Sequence, residues 1–363
     1  MYVHPFNTRR KGRLWETTFQ KQSYGVCFKG SVMGRPLKLN AEENNMEQTT
    51  QKQKIIYLEK KDYLELEKKN FLAVLNEFFD SIDEKKVNGN GRPRIYIKDM
   101  IKSLLIMAYH GMSYRRCRSD LEISMKMGII NAIPRRSTLC KYMNEESVKE
   151  ELSNLIQQSA THFITSESSL IIDSTWYPLK SCLTGHTKKP NSKLKDKTKE
   201  VCSMAKTRKL HIALLKNSRM IAYATTSKGT RNDSPTFKEI LNKVIENGFD
   251  IHVLLADAGY MSKANYAFAQ EKGVDNIFID FRKNVTGKRA KSKAWRDAVY
   301  LWKKDNEYWH EVYRYRVIVE GFFSLLKKKF MNWLRTRNVI ARDNEMLLKV
   351  LCYNLTILGR HIQ

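Results

Sequence analysis

Ser169-Leu170-Ile171-Ile172-Asp173-Ser174-Thr175 is a short apolar run that closes on an acid. A run of this length, bounded by polar residues, reads as a buried strand. Working outward, His211–Leu215 and Met220–Thr226 are two further strands, and Asn217-Ser218 between them is a turn signal, so the two should pair as a hairpin. Ser234 or Thr236 is placed to cap a helix through Phe237, Ile240, Leu241, Val244 and Ile245, which Gly248 closes. Ile251–Asp257 is a second buried strand ending in an acid. Ala258-Gly259-Tyr260 then turns the chain into a helix through Tyr266 and Ala269, and Asn276–Asp280 is the last strand. The order strand, strand, strand, helix, strand, helix, strand, helix predicts an α/β fold, a mixed sheet with helices on its faces.

The closing helix of that series is read over Glu311–Phe330, EVYRYRVIVEGFFSLLKKKF. At about 100° per residue, Tyr313, Arg316, Glu320 and Lys327 fall on one face. Val317, Phe322, Leu325 and Leu326 lie on a neighbouring apolar face suited to packing. An ordinary surface helix with an i,i+4 Arg316–Glu320 pair presents the same pattern. The two strand-end acids upstream, Asp173 and Asp257, favour a site over a surface pair.

Upstream lies an all-helical region. Lys61–Ile82 carries a helical stripe of Leu64, Phe71, Leu75, Phe78, Phe79 and Ile82, and the Gly/Asn-rich run at 87–93 breaks it as a linker. Ile97, Met100, Ile101, Leu104, Leu105 and Ala108 form the next stripe, with Gly111 at its end. Ser113 is placed to cap a helix carrying Arg115, Arg116 and Arg118. Ser137 or Thr138 is placed to cap another. Short helices with arginines near their starts fit a helix-turn-helix-like DNA reader, and equally a helical bundle with a solvated basic face. Residues 1–55 are polar and without period, and are expected to be disordered. Met33 and Met46 are later candidate starts. The expected organisation is therefore a helical domain over 56–150, an α/β domain over 165–340 and a C-terminal helix packing on it within 341–363, with Met346–Leu358 as core.

Composition bounds the partners. The 363 residues include 65 Lys+Arg against 38 Asp+Glu, a formal net charge of +27, and are 42% hydrophobic. A real core and a polyanionic partner follow, most simply nucleic acid, with a membrane surface as the weaker alternative. There is no apolar run long enough to cross a bilayer. The N-terminus has charge but no apolar segment, unlike a secretory signal. The six cysteines are scattered without a CxxC pair, so neither a zinc site nor a disulfide framework is indicated, and a reducing cytoplasm fits. Two basic stretches, 180–209 and 282–304, interrupt the α/β region. Each reads as a solvated loop or as a set of phosphate contacts, and their places flanking the acids favour the latter.

Acids at the C-terminal ends of neighbouring strands gather where α/β folds place functional groups. With Glu320 from a helix over the sheet, Asp173 and Asp257 would form a cluster of three. Such a cluster repels itself unless a cation neutralises it. Oxygen-only ligands favour Mg²⁺ or Mn²⁺, and two ions would activate a nucleophile and stabilise the leaving oxygen of a phosphodiester. Asp233, Asp250 and Asp280 are competing acids near strand ends.

These motifs, LIIDST around Asp173, LLADAGY around Asp257 and Y-x2-R-x3-E-x6-K from Tyr313 through Arg316 and Glu320 to Lys327, resemble those of insertion-sequence transposases of the DDE class. The resemblance covers about Arg92 to Arg360, includes the helical segment with RRSTL, and places the chain in the subgroup with the Y-R-E-K signature. It implies an RNase H-like catalytic domain. It implies metal-dependent cleavage at transposon ends and joining of the freed 3′-hydroxyls to target DNA, with two Mg²⁺ or Mn²⁺ ions. Asp173 would bridge both ions, and Asp257 and Glu320 would each hold one. Arg316 and Lys327 would contact DNA phosphates or terminal bases, Tyr313 would stack or contact a phosphate, and Arg115, Arg116 and Arg118 would help bind the ends. Partners would be terminal inverted repeats and target DNA, with a homodimer on paired ends, at the nucleoid. Where relatives often carry His-Asp-Ser after the third strand, this chain has Asn232-Asp233-Ser234. Two rivals stand beside this reading: an RNase H-like nuclease that cuts without joining, and a catalytically idle DNA-binding protein derived from a transposase.

Overall fold

The computed structural model describes residues 60–82, 97–179, 207–281, 285 and 292–360. The expectations for 1–55, for the linker at 87–93 and for most of the two basic stretches lie outside the described residues.

Five strands form one sheet in the order β3-β2-β1-β4-β5. They are β1 (Ser169–Tyr177), β2 (Arg208–Leu215), β3 (Ile221–Lys228), β4 (Val253–Ala256) and β5 (Asn276–Ile279). β1, β2 and β3 run antiparallel in succession, while β4 and β5 add in parallel on the other side of β1. With helices packed against it, this is the RNase H-like mixed sheet anticipated from the order of elements. The central strands carry apolar runs, Leu170–Ile172, Ile212–Leu215 and Leu254–Ala256, that are buried without a break, so they do not alternate as a half-exposed strand would.

The helices are α1 (Lys60–Asp80), α2 (Ile97–Tyr109), α3 (Arg118–Lys126), α4 (Arg136–Tyr142), α5 (Glu146–Ala160), α6 (Phe237–Glu246), α7 (Lys263–Glu271), α8 (Lys293–Lys304), α9 (Asn306–Tyr313), α10 (Val317–Phe330) and α11 (Val339–Leu358). α11 is buried along almost its whole length. It packs against α1, α2, α5 and the β3 side of the sheet, and so joins the helical region to the α/β region through one core. Its Asn354 side chain accepts from the backbone N–H of Ile221 and donates to the Ile221 carbonyl and to Ser159 Oγ. The backbone N–H and carbonyl of Ile221, at the start of edge strand β3, are thereby satisfied without another strand.

Several local expectations are corrected. Glu311–Phe330 is not one helix: α9 ends at Tyr313, a 3₁₀ turn spans Arg314–Arg316, and α10 begins at Val317. The two helices bury different faces. α9 sends Trp309 against Phe278 and Phe281, whereas α10 buries Val319, Phe322, Phe323 and Leu326. Three residues at the tighter pitch rotate the register by about 60° and reconcile the two. None of the expected hydroxyl caps forms at α3, α4 or α6. The residue in the cap position is Cys117, Arg135 or Thr236, and none of them caps with its side chain. Ser113 instead offers its backbone carbonyl to Arg116 and Cys117, and Thr236 turns its hydroxyl to the Asp233 carbonyl. The second half of the 282–304 stretch is a helix rather than a loop: Ser292 caps it and Trp295, Ala298 and Val299 are its buried stripe. α11 begins at Val339, capped by Asn338, seven residues before the apolar run that predicts it.

Candidate active site

Ile172 pairs with Ala256 as the last rung of the parallel β1–β4 ladder, so Asp257, just past β4, comes out beside Asp173, which lies midway along β1 opposite Ile212 of β2 and not at its end as expected. Past Asp257 a 3₁₀ turn (Ala258–Tyr260) bends the chain away, and the Gly259 N–H donates to the Asp257 carboxylate at 3.3 Å. Asp173 is buried and accepts from its neighbour's backbone, Ser174 N–H to Oδ1, at 2.7 Å. Glu320 comes from the first turn of α10 and is exposed.

One cation meets all three acids. The Arg316 guanidinium, at the end of the 3₁₀ turn before α10, donates from Nη1 to Asp173 Oδ2 at 2.9 Å and from Nη2 to Glu320 Oε1 at 2.6 Å. Nη1 also lies 4.0 Å from Asp257 Oδ1. Among the described residues no three acidic, histidine or cysteine side chains stand close enough together to hold a metal ion as they are placed. The guanidinium sits between the carboxylates.

Electrostatics follow burial. Desolvation pushes Asp173 up to about 6. The Ser174 N–H and Arg316 oppose that rise, and the neighbouring charges of Asp257 and Asp233 reinforce it. Burial would lower the Arg316 pKa, but Tyr313, Asp173, Asp257 and Glu320 outweigh it, and the group stays above its ordinary value. Tyr313 lies beside Arg316, 5.8 Å from guanidinium carbon to ring centre, and burial raises its phenol pKa. Lys327 donates to Thr175 Oγ1 at 2.6 Å, two residues beyond Asp173 on β1, and burial lowers its pKa. Thus Asp173, Asp257, Glu320 and Arg316 are brought together, with Tyr313 and Lys327 on either side. Arg115, Arg116 and Arg118 are exposed at the turn into α3, where Arg118 pairs with Glu122 at 3.1 Å. They are not ion-paired with the three acids, whose cation is Arg316.

Sequence reasoning makes Asp233 a mere competitor, yet it adjoins the cluster. Its Oδ1 accepts from Lys209 at 2.7 Å and lies 3.8 Å from His211 Nδ1. A Cβ on Gly259 would sit 3.0 Å from Asp233 Oδ2 and 3.6 Å from Asp257 Oδ2, so the glycine lets the two loops close on one another. His211 is fully buried, bonded to Tyr260 Oη and Ser227 Oγ, and desolvation pushes it down to about 4, leaving it neutral at pH 7. The signal lies in Asn232-Asp233-Ser234, which follows the third strand as Asp173 ends the apolar run of the first. Of the other competitors, Asp250 pairs with His252 on the surface and Asp280 accepts from the N–H of Phe281.

A model of the transposase DDE domain family matches residues 165–355, more than half of the chain, and begins and ends around the sheet and α11. The chain belongs to the DDE transposase family. No curated protein and no solved structure matches it. Membership of the transposases accounts for the basic excess, since the family acts on DNA, and no helix among the described residues is long and apolar enough to cross a membrane. The carboxylate donors of this transposase are all oxygen, the chemistry that a hard divalent cation takes, and the cluster already converges on one positive group.

Proposed function

We propose that this transposase binds its transposon ends, cleaves a phosphodiester bond at each and joins the freed 3′-hydroxyl to target DNA, with Asp173, Asp257 and Glu320 as catalytic carboxylates. The observation that carries the reading is the convergence of these three acids, from three separate elements, on one guanidinium where the β1–β4 ladder ends. Asp173, Asp257 and Glu320 would together hold the Mg²⁺ or Mn²⁺ ions that this reading requires. Such ions, when bound, supply Lewis-acid stabilisation of the attacking and leaving oxygens. Lys327, over the end of β1, and Arg316 supply cationic donors for DNA phosphates, Arg316 in a form suited to bidentate contact. Tyr313 offers an aromatic face beside them, and the four residues make the Y-R-E-K signature of this subgroup. The segment from Arg92 to Asn144, with Arg115, Arg116 and Arg118, assists end recognition as the 56–150 domain. The 165–340 domain carries the chemistry, with the 341–363 segment packed on it. A homodimer holding paired ends, acting at the nucleoid in the cytoplasm, completes the reading.

The test is a strand-transfer assay with DNA ends taken from the sequence flanking the gene. Wild type should cut and join in Mg²⁺ or Mn²⁺, while Asp173→Asn, Asp257→Asn and Glu320→Gln should bind ends but lose both steps. Cutting without joining would favour a nuclease. Binding without either step in the wild type would favour an idle derivative.

A further inference from the structure

Arg316 occupies the place the proposed metal ions need. Its Nη1 and Nη2 reach acids from β1, the turn after β4 and α10 at once, and it is the one cation among the described residues in contact with all three. Lys327 is turned to Thr175 and Lys209 to Asp233. A guanidinium does not shed its proton in a protein, so it cannot make room by becoming neutral; it has to move bodily. The geometry leaves it a way out. Asp257 and Glu320 have side chains 44% and 55% exposed, so the cluster opens to solvent on their side, and Arg316 sits at a 3₁₀ turn between two helices rather than within one. A divalent ion set among the same oxygens with the guanidinium in place would put like charges in contact in a half-buried site.

We propose that Arg316 is a built-in counter-ion of the free transposase, and that it and a divalent cation exclude one another from the Asp173–Asp257–Glu320 cluster. This rests on the carboxylate reading above. The free protein then has a masked, low-affinity metal site, and a DNA phosphate, which takes a guanidinium bidentately, is the group that can hold Arg316 elsewhere. The device would restrain metal loading away from DNA.

The experiment measures Mn²⁺ binding to the full chain without DNA, by electron paramagnetic resonance of the free ion, so no turnover is needed. Arg316→Gln removes the charge and keeps a hydrogen-bonding side chain of similar reach. It should bind Mn²⁺ about tenfold more tightly than wild type, within the range usual for coupled sites. Arg314→Gln, which removes an exposed charge two residues away, should change affinity by less than about twofold, because exposed charges are screened. Arg316→Lys keeps the charge but not the fork, should fall between, and serves if the glutamine variant fails to fold. Equal or weaker Mn²⁺ binding by folded Arg316 variants, or an equal gain in Arg314→Gln, overturns the proposal. Adding Asp173→Asn to Arg316→Gln separates the two layers. If the tight site persists without Asp173, the carboxylate reading has failed; if it vanishes with Asp173 but was never tighter than wild type, only the counter-ion role has failed.

Discussion

An ionised carboxylate at the position of Asp173 is expensive to keep. Its folded-state pKa of about 6 stands above the ordinary 3.8, with burial as the main cause. The sign is fixed by linkage. Below about pH 4 the group is protonated folded or unfolded and costs nothing. As pH rises to about 6 the unfolded chain ionises first, and stability falls by roughly 3 kcal/mol. Asp173→Asn has no such penalty. In a metal-free buffer the melting temperature of this variant should exceed that of wild type, with a gap that opens between about pH 4 and 6 and then levels. A gap independent of pH, or a wild type more stable at pH 8, would remove burial as the dominant influence. Glu320 should behave oppositely. Its side chain is largely in water, and its pair with Arg316 is the kind of exposed contact worth a few tenths of a kcal/mol to about 1. Glu320→Gln should leave the melting temperature nearly unchanged while cleavage falls by a hundredfold or more, as expected where a group acts in the transition state. Loss of stability without loss of rate would return Glu320 to an ordinary surface pair.

At the scale of elements, the strands are legible through their buried apolar runs, but their full lengths are not: β1 continues past Asp173 to Tyr177 and β2 starts at Arg208, where polar residues still pair in the ladder. The Asp173–Asp257 pairing is only conditional in the sequence, since adjacency of β1 and β4 is a property of the sheet order. Helix boundaries are less legible. Serines and threonines suit caps by residue type, and Ser292 does cap α8, but the Thr236 hydroxyl turns to the Asp233 carbonyl and Ser113 contributes only its backbone carbonyl. The break at Arg314–Arg316 is invisible in the sequence because it comes from two packing faces meeting, and local propensity does not encode that. Asp233 gives no strong signal because its importance lies in which loop it touches. The link between α11 and β3 is likewise tertiary, and it yields a prediction. Asn354→Leu leaves the outward backbone groups of Ile221 buried without partners and takes one bond from Ser159 Oγ, which keeps its bond to the Ile156 carbonyl. It should destabilise by about 2–4 kcal/mol, read as a lower denaturant midpoint, because unmade buried hydrogen bonds cost more than formed ones contribute. A loss under about 1 kcal/mol would show that β3 does not rely on this side chain.

For the molecule as a whole, the formal charge of +27 argues that DNA affinity is dominated by phosphate contacts and released counter-ions. Binding to an arbitrary duplex should then fall roughly a thousandfold or more between about 50 and 200 mM salt, the response of a protein contacting six or more phosphates. That result speaks to the whole surface. The helical region needs a sharper question, because phosphate contacts position a protein while base contacts specify a sequence. Arg115, Arg116 and Arg118 are exposed at the turn into α3, and Arg118 pairs with Glu122 at the surface, so all three can become Ala without opening the core. If they read the transposon ends, the triple variant should lose its preference for those ends over random duplex while keeping most of its salt slope. If they only hold phosphates, affinity should drop equally for both DNAs, and the slope should shrink by about one for each phosphate no longer neutralised. An end preference and slope both equal to wild type, with the melting temperature retained, would assign this face of the helical region to solvent and move end recognition elsewhere on the chain.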